Sequence, residues 1–245
     1  MITMLDGDAL AVLPSLPADS FDAIVTDPPY GETSLQWDRW PVGWVQLALR
    51  ALKPTGSLWC FGSMRMFLET WEEFDGLRFV QDVIWEKQNG SGFISDRFRR
   101  VHEHALHFVK TGAKWADVYK SPVFTMDATA RQVRRKTRPA HMGQIGQSAY
   151  TSEDGGPRLM RSVIFAKNCH GRAVHPTQKP EAIVEPILRY SVPPGGSVLD
   201  PFAGSGTTLL VARSLGLSAT GIEADAEYAS AARARLGATL PLVTR

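Results

Sequence analysis

Cysteine is nearly absent. Cys60 and Cys169 are the only two in 245 residues, too few for a disulfide framework and suited to a reducing compartment. No run of 18 apolar residues occurs, which argues against a membrane-spanning helix and a membrane partner. The start, Met1-Ile2-Thr3-Met4-Leu5-Asp6, has no basic patch and no long apolar stretch, so no secretion leader is expected and a cytoplasmic protein is. Metal-ligand spacing is missing too. His102, His104 and His107 fall on one expected strand without a partner cysteine pair, so no metal is expected. There is no internal repeat.

What is present is a core and a charge asymmetry. The 44% apolar content supports one large α/β domain with an inserted subdomain. The net charge of +2 conceals 15 Lys/Arg against 5 Asp/Glu between Arg97 and Arg172, with 12 against 20 elsewhere. A cationic segment on an acidic body suits a phosphate backbone as partner, and a solvated basic loop is the plainer alternative. The densest run is Gln132 to Arg138, and Arg131, Arg134, Arg135, Lys136 and Arg138 are the candidate DNA contacts.

Periodicity predicts strands at Ile2 to Leu5, Asp22 to Thr26, Ser57 to Phe61, Phe79 to Trp85, Ala105 to Val109 and Ala219 to Glu223. Helical spacing covers Trp44 to Leu52, Met64 to Phe74, Pro180 to Tyr190 (shortened or kinked at Pro186) and Ala226 to Leu236, with a brief turn at Ala9 to Leu16. Lys53-Pro54-Thr55-Gly56 reads as a breaker. The alternation predicts a doubly wound, mostly parallel sheet. Residues 1–110 and 173–245 are expected to be two halves of one domain, and 111–172 a loop-rich insertion.

Two loops carry the chemistry. Asp27-Pro28-Pro29-Tyr30 follows Ala23-Ile24-Val25, and Asp200-Pro201-Phe202-Ala203-Gly204-Ser205-Gly206 follows Val198-Leu199 and precedes a helical pattern from Thr207. Loops leaving the carboxyl ends of parallel strands meet in one crevice however far apart they lie in sequence. The prolines donate no hydrogen bond, so the first loop offers one carboxylate and bare carbonyls, a complement to an exocyclic amine. Tyr30 is either a stacking face for an extruded base or a core aromatic. The glycines of the second loop let a ligand approach the backbone at a helix N-terminus. Leu209 breaks the full G-x-G-x-x-G fingerprint, so a pyrophosphate is not demanded. Glu223, 19 residues after Gly204, either accepts from ribose hydroxyls or serves the next helix N-terminus.

D-P-P-Y, then His175-Pro176-Thr177-Gln178-Lys179-Pro180, then D-P-F-A-G-S-G-T-T together resemble the amino-group DNA methyltransferases of the β, circularly permuted arrangement. Val83 to Lys87 and Glu103 to Lys110 resemble internal strands of that family. The resemblance covers roughly Leu5 to Tyr30, Val83 to Lys110 and Val174 to Leu236. It implies a Rossmann-like, S-adenosylmethionine-dependent methyltransferase fold with 111–172 as target-recognition region, double-stranded DNA as substrate and base flipping. By position it makes Asp27, Pro28, Pro29 and Tyr30 catalytic. Asp8, Asp27, Thr177, Lys179, Asp200, Phe202, Gly204, Ser205, Gly206, Thr207 and Glu223 would meet the cofactor. Asp8 reads equally as a helix N-cap.

The reaction implied is direct methyl transfer to adenine N6, since neither cysteine sits in a nucleophile motif. Cytosine N4 is the runner-up. In the family an initial Ser leans toward cytosine and an initial Asp toward adenine. Methylation of RNA or of a protein glutamine is more distant, because those enzymes usually begin the loop with Asn and place the cofactor loop earlier. A restriction-modification setting and a homodimer both remain open.

Overall fold

In the computed structural model, the residues described are 1–91, 95–135, 148–169, 175 and 177–238. Two compact units emerge, Met1–Ser121 with Ser162–Arg245, and Pro122–Arg161.

The first unit begins with β1 (Ile2–Asp6), α1 (Ala9–Val12) and β2 (Phe21–Thr26). α2 (Trp44–Ala51) leads into β3 (Leu52–Gly62), then α3 (Met64–Glu69). β4 (Leu77–Ser91) and β5 (Arg100–Lys110) form a long antiparallel hairpin. In the second unit, β6 (Phe124–Thr125) pairs with β9 (Arg158–Leu159), and β7 (Arg131–Arg135) with β8 (Ser148–Ser152). The first unit resumes with β10 (Val163–Ala166), α4 (Glu181–Ser191), β11 (Ser197–Asp200), α5 (Thr207–Ser214), β12 (Ser218–Glu223) and α6 (Ala226–Ala238).

The main sheet has the order β1-β12-β11-β2-β3-β5-β4-β10, and β5 runs against the rest. Chain order spreads outward in opposite directions from the β11–β2 pair. That pair is the topological switch point, where an open α/β sheet leaves a crevice at its carboxyl edge. Side chains on a strand alternate between faces. Ala23 and Val25 join one apolar cluster with α4 and α5, while Ile24 joins the other with α1 and α2. All three are fully buried, as a sheet covered on both faces requires.

Several boundaries differ from the sequence reading. α2 does end before Lys53-Pro54-Thr55-Gly56, at Ala51, but that tetrapeptide lies within β3, opposite a register shift at Phe21/Ala23. The helix expected through Phe74 stops at Glu69 and becomes a 3-10 turn, Trp71–Phe74. Thr70 leaves helical geometry there, its hydroxyl donating to the Met66 carbonyl. α4 continues through Pro186, because the carbonyl one turn earlier belongs to exposed Ala182 and can be solvated. The segment read as loop-rich carries two antiparallel pairs within Pro122–Arg161, and β10 belongs to the main sheet instead. Among the described residues, no helix is long and apolar enough to cross a membrane.

His107 faces the core, stacked on Trp59 at 4.4 Å with Nε2 2.9 Å from Ser57 Oγ. Burial, reinforced by the Arg78 charge, pushes its imidazole down to about 3 from 6.5. Below pH 6.5 the unfolded chain therefore takes up a proton that the folded chain refuses, and stability falls as the solution is acidified. Urea unfolding at pH 7 and pH 4.5 checks this. His107→Phe should reduce the stability lost between the two by about 2–3 kcal/mol; an unchanged loss would show that His107 does not drive it.

Candidate active site

β2 ends at buried Thr26, whose hydroxyl donates to Asp200 Oδ1 at 2.7 Å across the switch point. Asp200 also accepts from Phe202 N at 3.2 Å. Burial drives its carboxyl up to about 6, against the pull of the Thr26, Thr208 and Phe202 hydrogen bonds. Asp200 thus latches the two loop-bearing strands together from below.

Beyond the latch, Asp27 through Tyr30 and Phe202 through Ser205 line one cleft of about 1140 Å³. Asp27 accepts from the Tyr30 hydroxyl on one oxygen and from the Lys179 ammonium on the other. Lys179 is 7% exposed, lies 3.3 Å from Glu103 Oε2, and sits over the rings of Tyr30, Phe61 and Trp85 at 5.6, 5.5 and 6.0 Å. Glu103 accepts in turn from Lys87 on its other oxygen. Burial pushes Glu103 up, but the two ammoniums outweigh it and its carboxyl lies below the usual range. Burial lowers Lys179, and the two carboxylates more than reverse this. Asp27 ends above its usual value because burial, aided by Glu103, exceeds the pull of Lys179 and its hydrogen bonds. The loop beyond Tyr30 is stapled by Asp38, which accepts from Gly31 N at 2.9 Å and Thr33 N at 2.7 Å.

On the other wall, Gly204 adopts φ of +49°, and buried Gly206, set against Ala232 of α6, adopts +72°, values that side chains rarely tolerate. Glu223, at the end of β12, accepts from Gly204 N at 2.7 Å and from Asp225 N at 2.9 Å. The first turn of α6 is capped by Asp225, which accepts from Glu227 N and Tyr228 N. Glu223 is therefore not that helix's cap. The His175 ring lies 3.6 Å from where a Gly204 Cβ would be and 4.2 Å, centroid to centroid, from Tyr228. Burial, with the Lys179 charge, pushes His175 down to about 4, so it is neutral near pH 7.

All the expected cofactor residues but Gly206 line this cleft, and several already have partners within the protein. The Ser205 and Thr207 hydroxyls lie 3.1 Å apart, and Arg235 Nη1 donates to Thr207 Oγ1 at 2.9 Å, tying the loop to α6. Phe202 packs edge-on against Trp44 at 5.3 Å. Asp8 caps α1 by accepting from Leu10 N at 2.7 Å and also lines the cleft. Exposed Thr177 places its hydroxyl 3.1 Å from His175 Nδ1. Lys179 faces Asp27 rather than the glycine loop. Arg131, Arg134 and Arg135 lie on β7 in the second unit, and Lys136 and Arg138 lie outside the described residues. Sequence reasoning gave no role to Glu103, Lys87 or Asp38. The available signal was a carboxylate opening the apolar run Ala105 to Val109 in β5.

A DNA methylase family profile for N6 and N4 enzymes matches residues 21–234. The Type II methyltransferase M.HinfI of Haemophilus influenzae is 30% identical over 263 residues, 96% of this chain and 68% of that protein. Among solved structures, M1.HpyAVI in complex with SAM is 27% identical with a TM-score of 0.67, covering 96% of this chain and 99% of that one. The cytosine-N4-specific PvuII DNA methyltransferase, 19% identical, has a TM-score of 0.65 over 100% of this chain and 88% of its own, a likeness of fold.

The buried cluster can be tested by stability alone. Lys179→Met leaves two carboxylates without their shared ammonium and should cost about 3–5 kcal/mol in urea unfolding. Adding Asp27→Asn should recover part of that loss. Strictly additive losses would show that Lys179 does not neutralise Asp27.

Proposed function

The chain belongs to the DNA methylase family of N6 and N4 amino methyltransferases, and within it we propose an adenine-N6 methyltransferase that acts on double-stranded DNA with S-adenosylmethionine as methyl donor. The observation that carries this reading is the single cleft lined by both Asp27-Pro28-Pro29-Tyr30 and the glycine loop.

The donor fits what lines the cleft. Gly204, at positive φ, presents its backbone to the cleft, and the Glu223 carboxylate retains acceptor capacity beyond its two backbone amides for a ribose diol. Residues of Asp8, Phe202, Gly204, Ser205, Gly206 and Thr207 type and position are those the family resemblance assigns to this ligand, and the similar M1.HpyAVI was solved with SAM. When bound, S-adenosylmethionine supplies a methyl group already activated on a sulfonium, so the protein's part is to position and orient.

An adenine amine has a lone pair delocalised into the ring. Donation of its two hydrogens to the Asp27 carboxylate and the Pro28 carbonyl localises that lone pair and aims it at the glycine loop. Both Asp27 oxygens are engaged, by Tyr30 and by Lys179. The incoming amine therefore replaces one of these donors instead of meeting a bare carboxylate. Adenine is favoured over cytosine because Asp, not Ser, leads the loop. Extruding the base costs a few kcal/mol, which phosphate contacts offset. We assign those contacts and target recognition to the 111–172 region, with Arg131, Arg134, Arg135, Lys136 and Arg138 as the DNA-binding residues.

Incubation with mixed DNA and donor, nuclease digestion and mass analysis of the nucleosides should yield N6-methyladenine. N4-methylcytosine in its place would overturn the base assignment. Asp27→Ala should abolish transfer while calorimetry still detects donor binding; retained turnover would remove Asp27 from the reaction.

A further inference from the structure

The tip of the β4–β5 hairpin has chemistry that the reaction itself does not use. Phe98 is 101% exposed, the highest value among the large apolar side chains of the described residues. It stands between Arg97 on one side and Arg99 and Arg100 on the other, and all four residues line the same cleft as Asp27 and Tyr30. A single exposed apolar residue is ordinary. A bare phenyl ring among three guanidinium groups along the wall of that cleft is a different matter, because that pairing of apolar wedge and cations matches a base stack flanked by phosphates.

The tip is also anchored to the reactive loop. Arg100 Nη2 lies 3.0 Å from Glu32 Oε2, two residues beyond Tyr30, and Glu32 accepts from the Ser63 hydroxyl on its other oxygen. Arg99 lies across Gly90, where an added Cβ would come within 2.5 Å of its side chain. Among the described residues, Arg97 is paired with its exposed neighbour Asp96 alone, at 2.8 Å, a contact a phosphate can replace at little cost. Arg99 has no ion-pair partner among the described residues. Glu32 thus fixes the height of the tip relative to Asp27, while Phe98, Arg97 and Arg99 stay available.

We propose that the β4–β5 tip is a DNA wedge, in which Phe98 fills the gap that the extruded target nucleotide leaves in the stack while Arg97 and Arg99 hold the adjacent phosphates. The inference rests on the reading of the site as adenine methylation in duplex DNA. Stacking of Phe98 against the neighbouring bases compensates for the unstacking of the target.

The test uses two duplexes carrying the site that wild-type protein methylates, as read by sequencing of its own product. In one the target adenine is paired with thymine; in the other it faces an abasic position and is already unpaired. Phe98→Ala should lower kcat/KM about tenfold or more on the paired duplex and by less than about threefold on the other, because only the first needs the base pulled out. Phe98→Trp should retain most of the activity on both. Equal activity of Phe98→Ala and wild type on the paired duplex, or an equal loss on both duplexes, would overturn the wedge alone. A wild-type protein that forms no N6-methyladenine would overturn the underlying reading with it. A marked fall in melting temperature for Phe98→Ala would place Phe98 in the fold and also overturn the proposal.

Discussion

One ammonium group decides how the site is built. Lys179 stands between Asp27, at the end of β2, and Glu103, on β5, and it enters from the segment that leads into α4. Three stretches far apart in sequence are thereby fixed to one buried point. Isolated carboxylates at this depth would be prohibitive to keep ionised, and pairing is what makes them tolerable. The arrangement is completed by Lys87 on Glu103, so two negative and two positive groups form a closed set. Three aromatic rings around Lys179 exclude water from it and strengthen each contact.

The second constraint is the switch point. Because β2 and β11 are neighbours whose connections leave in opposite directions, a crevice opens at their carboxyl ends. The Thr26–Asp200 hydrogen bond closes the floor of that opening. Above it, one wall presents acceptors for an amine, and the other a glycine backbone pinned by Glu223. In the proposed reading, function follows from that division of labour between two loops. The sheet itself only brings them to one place.

Much of this was legible in the residues. Short, continuous apolar runs gave β2 and β3, and the proline and glycine loops marked the carboxyl ends of β2 and β11. The parallel, doubly wound architecture followed from the alternation of strands and helices. What was not legible depends on three-dimensional pairing. Lys179 read as part of the strip that closes over the cofactor because its motif resembles that of the family, whereas its partners Asp27 and Glu103 are 152 and 76 residues away in the chain. Ser205 and Thr207 read as ligand contacts, and their added tie to Arg235 of α6 is one that no local pattern announces. The strands within Pro122–Arg161 escaped notice because short polar hairpins leave no apolar alternation. Lys136 and Arg138 of the basic run lie outside the described residues.

The central claim is that the donor's methyl group lies between the Asp27–Tyr30 turn and the glycine loop. Ultraviolet cross-linking of the protein to S-adenosylmethionine labelled in the methyl group, followed by peptide mapping, addresses it directly. The label should fall on the peptide containing Asp27 to Tyr30 or on the one containing residues 201–206, and excess unlabelled donor should suppress it. Label confined to other peptides, such as those of Pro122–Arg161, would contradict the account.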